Sequence, residues 1–226
     1  MNVRLLPARP PAAVIAPIVR VLVALGVTPT ALTAAVLVGN VLGAALIVEH
    51  SPVTGGIVVL LASALDMLDG ALARATGSAS RFGAMFDSVL DRFSEAAVLF
   101  GIAWYSIDNG NREEALLAFA AVVGSLMVSY VRARAEGLNL QLRDGIFTRA
   151  ERVVLVGAML ITGYMRLGLW LLAIMSLFTA FQRLWIASGM LIAEDAPSVA
   201  RRPRPITAAK AACCGSSIAT SSSSTK

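Results

Sequence analysis

Four aspartates, Asp66, Asp69, Asp87 and Asp91, are the residues of this 226-residue chain whose type and spacing point most directly to chemistry. On a helix, residues three or four apart share a face, so Asp66 pairs with Asp69 and Asp87 with Asp91. The stretches that carry them are otherwise apolar enough to cross a membrane. A charged side chain at membrane depth costs at least about 2.5–3.5 kcal/mol on the mildest scale, so these acids must be compensated. Hard divalent cations take carboxylate oxygens. Four carboxylates suffice for two Mg²⁺ or Mn²⁺ ions, with water and phosphate oxygens completing the shells. Two such ions about 3.5–4 Å apart serve displacement at phosphorus.

The neighbours of the aspartates fit a phosphate ligand. Gly70 and Ala73 follow Asp66 on nearly the same face and leave a groove that longer side chains would block. Arg74 then points along that face as a phosphate partner. Gly83, one turn before Asp87, clears space on the facing helix. Buried ion pairs with Arg74, Arg81 and Arg92 are the plainer alternative. A non-enzymatic cation transporter is a more distant one; it would spread acids across the bilayer depth, whereas these gather at one end.

The elements that must hold the acids are membrane helices. The chain is 57% hydrophobic and only 15% charged, with a mean hydropathy of +0.75, far from the soluble norm. Nothing in it resembles a nucleic-acid-binding module. Residues 1–11 are basic and end in Pro10 and Pro11. Residues 12–26 carry apolar residues at helical spacing but include Arg20, which suits an amphipathic helix lying at the membrane interface. Six spans of the length a bilayer core requires are expected at 30–48, 54–75, 82–106, 114–136, 149–166 and 168–191. The break between the last two is placed at 165–168. The Gly39/Gly43 spacing suits a helix-packing face. The expected fold is therefore an all-α polytopic membrane protein, six transmembrane helices after an interfacial helix. Its parts are a cytoplasmic N-terminus and juxtamembrane helix (1–29), a six-helix domain (30–192) and a disordered cytoplasmic tail (193–226). That tail is polar, Pro- and Ser-rich, and its adjacent Cys213 and Cys214 cannot form an ordinary structural staple.

Loop charges set the orientation. Arg74, Arg81, Arg132, Arg134, Arg143 and Arg149 fall on the side of the basic N-terminus and tail, and only Arg112 and Arg166 on the other. Both termini and the acidic cluster are therefore expected to be cytoplasmic, in a prokaryotic cell membrane.

The pattern Asp66-x₂-Asp69-Gly70-x₂-Ala73-Arg74-x₈-Gly83-x₃-Asp87-x₃-Asp91 resembles the complete motif of the CDP-alcohol phosphatidyltransferase family. The resemblance covers residues 12–192, and the family fold agrees with the spans read from hydropathy. It implies that Asp66, Asp69 and Asp87 bind a first metal, and that Asp87 and Asp91 help hold a second. Gly70, Ala73 and Arg74 would receive the cytidine diphosphate of a CDP-diacylglycerol-type lipid. Asp91 would be the general base on the acceptor hydroxyl, with CMP leaving. A homodimer is a further family expectation.

The acceptor has to be read elsewhere. Arg132 and Arg134 end the fourth span, Arg149 and Arg152 open the fifth, and Arg183 sits in a nearly uncharged stretch of the sixth. An intramembrane cation usually faces a cavity or a partner. Arg132, Arg152 and Arg183 are read as one anion site, whereas Arg134, Arg143 and Arg149 are also explained by topology and lipid headgroups. An anion site favours a phosphorylated acceptor, inositol phosphate or glycerol 3-phosphate, over free serine or inositol. The runs Ser129–Glu136, Asp144-Gly145, Arg149–Arg152 and Gln182-Arg183-Leu184 are similar to family members that use inositol phosphate, which implies that Arg132, Arg152 and Arg183 grip its phosphate. Arg132 stands where lysine is usual. The Arg-Glu pair expected in glycerol 3-phosphate users is absent, so inositol phosphate is the preferred acceptor and glycerol 3-phosphate the alternative.

Overall fold

A computed structural model of the chain describes residues 12–140 and 147–200, with side chains from 15 to 193 outside that gap. Among the described residues it is all-helical. α1 is Ala12–Ala24, α2 Pro29–Val48, α3 Pro52–Ala75, α4 Arg81–Asp108, α5 Arg112–Glu136, α6 Arg149–Thr162 and α7 Met165–Ala200. The chain divides into two compact units, Met1–Ala187 and Ser188–Lys226. The first holds α1 to α6 and most of α7. The described part of the second is helical to residue 200, past the 192 boundary expected from composition. Arg143, Cys213 and Cys214 lie outside the described residues.

The helix starts follow their sequence signals. Pro29 and Pro52 open α2 and α3, where a missing N–H costs nothing. The Thr28 hydroxyl caps α2 by accepting from the Ala31 N–H at 3.2 Å. Ser80 caps α4 by accepting from the Gly83 N–H at 3.0 Å. Thr148 opens α6, its N–H donating to the Glu151 carboxylate at 2.5 Å, one arm of a capping box.

α2, α3, α5 and Met165–Ala193 of α7 are long and apolar enough to cross a membrane. α4 is long enough but carries Asp87, Asp91, Arg92 and Glu95 between its start and its middle turn. α6 has 14 residues, about 21 Å of helix, short of the roughly 30 Å hydrocarbon core. The break before α7 is not at 165–168, as expected, but at Gly163-Tyr164. Gly163 adopts φ 78°, ψ 0°, the left-handed terminus that glycine permits at least cost, so Arg166 belongs to α7.

The core of the first unit is built from Ile47, Val59, Leu99, Ile102, Ala118, Leu160 and Leu169, drawn from α2 to α7. A second cluster, Val19, Leu32, Leu68 and Leu72, fastens α1 to α2 and α3. Small residues let α2 meet α3 closely. A Cβ on Gly39 would lie 2.8 Å from the Ala62 Cβ, one on Gly43 2.6 Å from Val59 Cγ2, and one on Gly55 2.7 Å from the Gly43 carbonyl. The packing face expected of Gly39 and Gly43 is thus the α2–α3 contact.

The distribution of side chains is that of a protein in lipid. Leu61, Phe100, Leu116, Phe119 and Phe181 are largely exposed, while Asn40, Ser94, Ser106, Ser125, Ser176 and Thr179 are buried. Exposed apolar area on this scale marks an apolar solvent. Together with its long apolar helices, this makes the chain an integral membrane protein.

Candidate active site

α3 and α4 run into the short 76–80 connection and bring the acid pairs together. Carboxylate oxygens of Asp66, Asp69 and Asp87 all lie within 4.8 Å of one another. Asp69 is held from two sides: its Oδ1 accepts from the Gly70 N–H, and the Thr33 hydroxyl of α2 lies 3.2 Å from its Oδ2. That hydroxyl is also 3.0 Å from the Pro29 carbonyl, and its single proton serves one acceptor at a time. Among the described residues, the buried Asp66 Oδ1 and Asp87 Oδ1 have no hydrogen-bond partner. Convergent carboxylates with orphaned oxygens fit a divalent cation, and these are the three residues that the family resemblance assigns to a first metal.

Asp91 stands differently. It is not a member of the three-carboxylate group, and its Oδ1 lies 2.8 Å from Arg149 Nη2. Arg149 Nη1 reaches Asp66 Oδ2. The cation paired with these acids is therefore Arg149 of α6, not Arg74, Arg81 or Arg92, and Arg149 is not simply a headgroup contact. Arg92 instead turns back on its own helix, donating to the Ser88 carbonyl and hydroxyl.

Arg149 and Arg152 occupy the first turn of α6, the positive end of the helix dipole, where cations are disfavoured. Carboxylates on the adjoining helices offset this. Arg152 donates from Nε and Nη2 to the two oxygens of Glu95 at 2.7 and 3.0 Å. Glu95 continues the Asp87/Asp91 face by one more turn, so its i+4 spacing was the signal that could have found it. Thr33 gave no comparable signal.

Two cavities open beside the acids. One, of about 580 Å³, is lined by Asp69, Gly70, Ala73, Arg74, Gly83 and Asp87, with the α1–α2 linker across it. The other, of about 410 Å³, is lined by Asp87, Asp91, Arg132, Arg149, Arg152 and Arg183. Both fall in the usual range for small-molecule sites. Ala84 and Asp87 line both. Apart from Asp66, which lines neither cavity, the sequence-derived residues therefore sort into two groups that meet at Asp87. In the second cavity Arg183 Nη1 donates to the Val128 carbonyl at 3.0 Å, and Arg132 pairs with Glu136 at 2.8 Å near the surface.

Residues 26–181 match the family model described as CDP-alcohol phosphatidyltransferase. The chain belongs to that family. Among curated members it is 37% identical over 173 residues to the archaetidylinositol phosphate synthase of Pyrococcus horikoshii, covering 76% of this chain and 89% of that one. It is 33% identical over 193 residues to the phosphatidylinositol phosphate synthase of Mycobacterium tuberculosis, covering 77% and 87%. The crystal structure of the Mycobacterium tuberculosis enzyme with CDP-DAG bound superposes with a TM-score of 0.72 at 33% identity, over 78% of this chain and 94% of that one. The same enzyme in complex with manganese and citrate gives a TM-score of 0.71 at 33% identity, over 76% and 88%. This chain presents a carboxylate cluster suited to a divalent metal, and the Mycobacterium tuberculosis enzyme has been solved with manganese.

Proposed function

We propose that this CDP-alcohol phosphatidyltransferase moves the phosphatidyl group of CDP-diacylglycerol, or of a similar CDP-lipid, onto inositol phosphate, giving phosphatidylinositol phosphate and CMP. The observation that carries the reading is the meeting of the two cavities at Asp87. The names of the relatives, synthases of inositol phosphate lipids, support the same acceptor.

The larger cavity takes the CDP-lipid. Gly70 and Ala73 leave room for the cytidine diphosphate, and Arg74 supplies charge to its phosphates. Arg74 folds back so that a Cβ on Gly70 would stand 3.3 Å from its Nη1. The smaller cavity takes the acceptor, with Arg132, Arg152 and Arg183 around its phosphate. Asp66, Asp69 and Asp87 would hold one divalent cation and Asp87 and Asp91 a second, which would supply positive charge against the diphosphate. The acceptor hydroxyl oxygen bonds to the lipid-bearing phosphorus as the bond from that phosphorus to the CMP oxygen breaks. Asp91, which lines the acceptor cavity, takes the hydroxyl proton.

In this reading α1 lies at the interface, six helices form the transmembrane bundle with α4 included and the short α6 crossing only part of the hydrocarbon core, and two ions act at each site. The organisation is 1–29, 30–192 and 193–226, the protein works as a homodimer, and the acids face the cytoplasm. Arg166 pairs with Glu113 at 2.5 Å, which gathers the Arg112 and Arg166 segments at the end away from the acids. The test is CMP release by the purified protein from CDP-diacylglycerol. Release that needs both inositol 1-phosphate and Mg²⁺ or Mn²⁺ is expected; release indifferent to either contradicts the proposal.

A further inference from the structure

Arg149 touches both halves of the site. Its guanidinium bridges Asp66 on α3 and Asp91 on α4, and it also lines the cavity that holds Arg132, Arg152 and Arg183. The bridge is incomplete: among the described residues neither the buried Arg149 Nε nor Asp66 Oδ1 has a hydrogen-bond partner. The guanidinium occupies Asp66 Oδ2 and Asp91 Oδ1, two carboxylate oxygens that the proposed cations would otherwise draw on. Like charges a few ångströms apart in a desolvated site repel strongly, so the two occupants compete for the same carboxylates.

The geometry points to Arg149 as a switch that couples metal binding to acceptor binding. A divalent cation at the aspartates displaces the guanidinium, which turns about its flexible stem into the adjoining cavity and joins Arg132, Arg152 and Arg183 on the acceptor phosphate. Without the cation Arg149 stays on the acids, and the cavity lacks one of its phosphate donors. Linkage is reciprocal: a phosphate that holds Arg149 away from Asp66 and Asp91 tightens the cation by the same factor. The device favours metal before acceptor. It rests on the assignment of the two cavities proposed above.

The test is Mn²⁺ binding to the purified full chain, by calorimetry and by loss of the free-ion paramagnetic resonance signal, with and without inositol 1-phosphate. In the wild type the sugar phosphate should tighten Mn²⁺ by a factor within the roughly 5–150-fold common for coupled sites. Arg149→Gln should bind Mn²⁺ more tightly than wild type without the sugar phosphate, and the added tightening should disappear. Arg132→Gln, which removes a cation from the same cavity but none from the aspartates, should keep the tightening. Arg149→Lys, whose single ammonium cannot bridge both carboxylates, should reduce it severalfold, and serves if the glutamine variant does not fold. Equal coupling in wild type, Arg149→Gln and Arg149→Lys would overturn the switch while leaving the functional reading intact. A wild type that binds no Mn²⁺ would overturn that reading and the switch with it.

Discussion

Arg152 lies side-on to Glu95, its Nε and Nη2 2.7 and 3.0 Å from the two carboxylate oxygens. Both side chains are largely buried, at 4% and 12% exposure. A bidentate pair of this kind fixes the plane of the guanidinium as well as its place. One edge of the fork belongs to Glu95, and the other is left to meet a ligand.

Glu95→Gln should therefore act on the acceptor through Arg152. The KM for inositol phosphate should rise about tenfold, a change worth roughly 1.4 kcal/mol, while the KM for CDP-lipid stays within about twofold. Glu95→Ala, which strands a buried cation, should also lose about 3–5 kcal/mol of stability, read as a drop in melting temperature in detergent.

Arg183→Ala removes a cation from the acceptor cavity and a hydrogen bond to the Val128 carbonyl. Steady-state kinetics with each substrate varied in turn should show a much larger rise in acceptor KM than in CDP-lipid KM. Equal effects on both would make Arg183 a part of the scaffold.

Asp91→Asn removes the base and one of the two acids that hold Arg149. Turnover should fall below a few per cent of wild type while the variant still inserts in membranes and binds CDP-lipid. Retention of more activity than that would rule out Asp91 as the proton acceptor.

Gly55→Ala places a Cβ 2.6 Å from Ile47 Cγ1 and 2.7 Å from the Gly43 carbonyl. The second contact is backbone and cannot rotate away, so α2 and α3 must separate. A loss of about 1–3 kcal/mol is expected for such overpacking, measured by thermal unfolding in detergent.

The acid cluster was legible in the sequence because i+3 and i+4 spacing on two consecutive helices leaves little choice about which faces meet. Hydropathy placed the long helices for the same local reason. Arg149 was harder. Its bridge to Asp66 joins residues 83 apart in sequence, and nothing near Arg149 distinguishes it from an arginine facing headgroups. Arg166 and Gly168 are the polar and small residues that mark a break at 165–168 in the sequence, whereas the chain turns at Gly163, where a positive φ is required. Glu95 was missed although it repeats the aspartate spacing by one more turn.

The most direct test offers the purified protein CDP-diacylglycerol and Mn²⁺ with inositol 1-phosphate and glycerol 3-phosphate in equal amounts, and follows both lipid products and CMP. Phosphatidylinositol phosphate should form in step with CMP, and a chelator should stop both. Phosphatidylglycerophosphate as the main product, or CMP release that survives the chelator, would contradict the account.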